Sequence, residues 1–152
     1  HDQAEAVALS DKIALLLDGR IAQHARPEDF YQRPTTEAVA RFFGAVNFIA
    51  GTARDGAFRS ALGPLALPPA APEGDRLLTL RPEALRFGPG ENARTARVTS
   101  VTFLGTQTRV ELSVAGLALQ ALTSPDAARG MSPGDEVTVS LPPEALWLLP
   151  SD

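Results

Sequence analysis

The run HDQAEAVALSDKIALLLDGRIAQH, residues 1–24, decides how the chain is read. Asp2 is a helix-capping residue type and Glu5 follows it at capping-box spacing, so a helix is predicted at the start of the chain. Lys12 to Leu17 is an apolar run of strand length with breakers on both sides. Asp18-Gly19 between two such runs is a hairpin signal, because a type I′ turn needs positive φ at both central residues. The stretch therefore predicts helix, strand, two-residue turn and second strand. His1 stands where a strand hands over to a helix. A terminal histidine on its own is only a solvated residue.

The order His-Asp-Gln-x-Glu-Ala, Leu-Ser-Asp-Lys-Ile and Gly-Arg-Ile-x-Gln resembles the end of the nucleotide-binding domain of ATP-binding cassette (ABC) transporters. The resemblance implies a catalytic role for His1, which reaches the γ-phosphate of ATP and couples it to the catalytic glutamate. It also implies ATP and magnesium as cofactors of the parent polypeptide. No stretch fits G-x-x-x-x-G-K-[ST], the only lysine is Lys12 and the only methionine is Met131. The expectation is the back part of a longer polypeptide, with no cofactor of its own and no ATP hydrolysis by itself.

Composition narrows the alternatives. A chain of 152 residues with 44% hydrophobic content can bury one core, or a core with an appendage. No apolar run approaches the length of about 18 residues needed to span a bilayer, and no signal-peptide pattern opens the chain. The absence of cysteine excludes a disulfide framework and thiolate metal sites, and suits a cytoplasmic protein. A net charge of −4 argues against nucleic acid or an anionic membrane surface as partner.

Beyond the hairpin, Pro27-Glu28-Asp29 has proline and acids where a first helical turn favours them. A second short helix is predicted from Thr35 or Thr36 to Phe43, stopped by Gly44, with Val39, Phe42 and Phe43 on one face. From about Ala45 the pattern changes to strands. These are Asn47 to Thr52, a second run Phe58 to Leu67 after an Asp55-Gly56 turn, Leu77 to Arg81, Ala96 to Leu104, Thr108 to Val114, Leu117 to Leu122 and Glu136 to Leu141. Pro68 to Asp75 and Gly88 to Asn92 read as loops. Leu80-Arg81-Pro82-Glu83-Ala84-Leu85 recurs as Leu141-Pro142-Pro143-Glu144-Ala145-Leu146, 61 residues later. Each copy is predicted to be a strand, a proline kink and a further strand at a sheet edge.

Many short strands at this spacing imply a small barrel or sandwich. Leu80-Arg81-Pro82-Glu83, Val101-x-Phe103-Leu104-Gly105, Pro133-Gly134-Asp135-x-Val137 and the closing Leu146 to Pro150 resemble the TOBE domain, an OB-like barrel at the C-terminus of ABC importer ATPases. The predicted fold class is mostly β: a small OB-like β-barrel over residues 45–152, preceded over residues 1–44 by a helix–hairpin–helix remnant of an α/β ATPase domain.

The resemblance implies the ATP-binding subunit of an importer of polyamine, ferric iron or a related solute. It further implies a homodimer of the subunit, membrane permease subunits and an extracytoplasmic solute-binding protein as partners. The location would be cytoplasmic, at the inner face of a bacterial membrane. The barrel would stabilise the dimer, regulate it or sense substrate, with Arg81, Glu83 and Trp147 as interface candidates.

The alternative is an oxyanion-binding module, since residues from Asn92 onward also resemble the molybdate-binding Mop module; Ser100, Thr102, Thr106 and Thr108 would offer hydroxyls. Single-stranded nucleic-acid binding needs basic grooves and exposed aromatic platforms. The aromatics here, Phe48, Phe58, Phe87, Phe103 and Trp147, lie mostly in apolar runs and are expected in the core. His24 has no second His or Cys beside it and reads as a surface residue at a strand end.

Overall fold

A computed structural model describes residues 2–150, so His1 lies outside the described residues, as does the Asp2 side chain expected to cap the first helix. The chain forms two compact units, one ending at Ala45 and one starting at Val46.

The first unit runs α1 (Asp2–Leu9), β1 (Ile13–Leu17), β2 (Arg20–Ala25), α2 (Pro27–Gln32) and α3 (Glu37–Phe42). Asp18 and Gly19 have φ of 50° and 74°, the pair of left-handed residues that the two-residue turn demands. Pro27 opens α2 at the position where its missing N–H costs nothing. Thr36 caps α3 by accepting a hydrogen bond from Val39 N, and Gly44, at φ 89°, ends it. Leu15, Phe30, Val39 and Phe43 form the small core of this unit, with the Phe30 and Phe43 rings 4.9 Å apart. Phe42 departs from the expected shared face: it is 43% exposed, while Val39 and Phe43 are buried.

The second unit holds β3 (Asn47–Arg54), β4 (Ala57–Ser60), β5 (Gly63–Ala66), β6 (Gly74–Leu80), β7 (Arg86–Phe87), β8 (Arg94–Phe103), β9 (Thr108–Val114), β10 (Leu117–Thr123), β11 (Glu136–Ser140) and β12 (Trp147–Pro150). They form two five-stranded antiparallel sheets, ordered β12-β6-β3-β4-β5 and β7-β11-β8-β9-β10. Both sheets feed one apolar core, with Phe58, Leu65, Leu78 and Leu80 from the first and Val98, Leu112, Leu119 and Val139 from the second. The result is the mostly-β, OB-like architecture expected.

The run Phe58 to Leu67 is not one strand. It breaks into β4 and β5 around Ala61-Leu62, where Ser60 Oγ accepts from Leu62 N and Gly63 takes φ 79°. The turn lacks the Asn-Gly or Asp-Gly pair that announces a hairpin in sequence.

The recurring hexapeptide marks a duplicated topology. Leu80 ends β6 and Leu141 directly follows β11, and the prolines that follow open a 3-10 turn at Pro82–Ala84 and at Pro143–Ala145. The chain then changes sheets. β7 follows β6 but pairs with β11, through Arg86↔Ser140 and Phe87↔Val139. β12 follows β11 but pairs with β6, through Trp147↔Thr79 and Leu148↔Leu78. A shift of 61 residues converts one set of pairs into the other. Each half therefore lends its last strand to the other half. The strands after the kinks occupy sheet edges, as expected, whereas β6 and β11 before the kinks lie one place inward.

Candidate functional site

A buried polar arrangement in the first unit centres on Gln23, which is 7% exposed. It sits on β2 at the Gln of the Gly-Arg-Ile-x-Gln block. Its Oε1 accepts from Thr35 N at 3.0 Å and from Thr35 Oγ1 at 3.2 Å, while Nε2 donates to Arg33 O at 3.4 Å. One amide thus fastens the α2–α3 connection to the hairpin. The described residues do not by themselves make a nucleotide site: Lys12 is exposed, and no phosphate-binding glycine loop is present. No group of three or more metal-ligating side chains occurs among the described residues, and His24 is exposed at its strand end.

In the second unit, two asparagines hold the sheets together in equivalent ways. Asn47 opens β3 and is 1% exposed. Its Nδ2 donates to Leu80 O at 3.1 Å and to Gln120 O at 2.8 Å, and its Oδ1 accepts from Gln120 N at 2.7 Å. Asn92 precedes β8. Its Nδ2 donates to Leu141 O at 2.9 Å and to Ala66 O at 3.0 Å, and its Oδ1 accepts from Ala66 N at 2.8 Å. Leu80 and Leu141 are the repeat partners, and Ala66 and Gln120 lie on the terminal strands β5 and β10. Each amide therefore acts as a short surrogate strand that satisfies the open edge of the opposite sheet and closes the barrel. Arg94 extends the seal on β5, donating through Nε to Leu62 O at 2.7 Å and through Nη2 to Pro64 O at 2.5 Å. The sequence signal was a lone amide at the border of an apolar strand, once per repeat; sequence reasoning did not single it out.

The interface candidates fall around the two kinks. Arg81 is half-buried just past β6, and Glu83 is exposed in the first 3-10 turn. Trp147 begins β12 and pairs with Thr79, two residues before Arg81. Trp147 is half-buried. The four hydroxyls considered for an oxyanion do not converge. Ser100 and Thr102 lie opposite Glu111 and Arg109, Thr108 is buried opposite Phe103, and Thr106 is in the connecting turn. Phe103 corrects the expectation that the aromatics sit in the core, since it is 70% exposed. No helix among the described residues is long and apolar enough to cross a membrane.

Residues 78–149 match the TOBE domain model. Among curated proteins, the chain is 38% identical to the Fe(3+) ions import ATP-binding protein FbpC of Streptomyces coelicolor, over 76% of this chain and 33% of that protein. It is 33% identical to the spermidine/putrescine import ATP-binding protein PotA of Frankia alni, over 99% of this chain and 38% of that protein. It is 34% identical to the sulfate/thiosulfate import ATP-binding protein CysA 2 of Chromobacterium violaceum, over 100% of this chain and 44% of that protein. The chain thus spans less than half the length of these relatives. Among solved structures, the cytoplasmic molybdate-binding protein ModG aligns with a TM-score of 0.61 and 16% identity, over 70% of this chain and 98% of ModG, which is a likeness of fold. Residues 78–149 thus carry a TOBE domain, and over most of its length the chain is similar to the ATP-binding subunits of ABC importers.

Proposed function

We propose that this chain serves as the C-terminal portion of the ATP-binding subunit of a bacterial importer for ferric iron or a polyamine. The observation that carries the reading is the continuity of the match: relatives named as import ATP-binding proteins align with 99% and 100% of the chain, so both units are covered. Residues 1–44 would end the ATPase domain and residues 45–152 would form the accessory barrel. ATP and magnesium would be held by residues outside this chain, with His1 supplying the polar contact at the γ-phosphate. The subunit would work as a homodimer at the cytoplasmic face of its permease, and the barrel would stabilise that dimer. Arg81, Glu83 and Trp147 mark the proposed dimer-facing region, around the points where the strands change sheets.

The test is made in the complete subunit, reconstituted with its permease in vesicles. His1→Ala should lower ATP hydrolysis by about two orders of magnitude, the scale of a lost proton-handling or charge-positioning group, with the melting temperature unchanged. Hydrolysis at the wild-type rate would remove His1 from the reaction. Uptake of labelled putrescine and ferric iron in the same vesicles identifies the solute; transport of neither overturns the solute assignment. Glu83→Lys should weaken dimerisation in light scattering on dilution, and an unchanged dimer would move the interface elsewhere.

A further inference from the structure

No further inference is drawn: the strongest candidate, the apolar surface patch made by the exposed cross-strand pair Leu16 and Ile21 on the β1–β2 hairpin, carries nothing because nothing in the structure shows what covers it.

Discussion

Asn47 and Asn92 make the same three kinds of hydrogen bond, yet they should differ in energetic weight. Asn47 is 1% exposed, so truncation strands Gln120 N and O and Leu80 O without water to replace the amide. Asn47→Ala is expected to cost about 2–4 kcal/mol, and Asn92→Ala about 1–2 kcal/mol because solvent reaches its bonds to Ala66. Urea denaturation of the two variants checks the order; equal costs would mean that burial does not set the difference. Glycine positions give a parallel contrast. A Cβ on Gly51 would meet the backbone carbonyl of Arg59 and lie 2.6 Å from Phe58 Cζ, whereas one on Gly19 meets nothing within 4 Å and only strains φ +74°. Gly51→Ala should therefore cost about 3 kcal/mol through overpacking, and Gly19→Ala about 1 kcal/mol through backbone strain. Thermal melts would separate them, and the reverse order would count against the packing around Phe58. Neither asparagine was legible as a fastener from sequence. A lone amide looks the same whether it faces water or a distant strand edge.

At the level of elements, legibility followed local chemistry. The Asp18-Gly19 and Asp55-Gly56 turns could be read because positive φ at two adjacent positions demands those residue types, and both pairs adopt it. Pro27 and Thr36 declared two helix starts for equally local reasons. The Ala61-Leu62 turn was missed because the left-handed residue comes after it, at Gly63. The hexapeptide repeat was visible, but the exchange of β7 and β12 was not, since strand partners so far apart in the chain leave no mark on local pattern. That exchange makes a direct prediction. β12 is an edge strand paired only with β6, and it contributes buried Leu148 and Leu149. Ending the chain at Leu146 removes it and opens the β6 edge. The truncated chain should lose its cooperative melt, and a synthetic peptide of residues 142–150 should restore it in a concentration-dependent way. A truncated chain that melts like the original would show that the borrowed strand is dispensable.

For the whole molecule, the two units differ most in how much apolar surface each gathers for itself. Among the described residues, the apolar cluster of the first unit holds four buried side chains, Leu15, Phe30, Val39 and Phe43, whereas that of the second holds twenty. A unit of about 45 residues with so small a core sits near the limit below which a chain seldom holds its fold alone. The second unit has in addition the edge seals at Asn47 and Asn92, which pair backbone groups of Gln120 on β10 and Ala66 on β5. Calorimetry of the chain should accordingly resolve two transitions, the lower from the first unit. Val39→Ala, by emptying a fully buried position, should move only the lower transition, and Asn47→Ala only the upper. A single transition moved by both variants would mean that the small core draws its stability from outside itself, and the order of melting argued from core size would then fail.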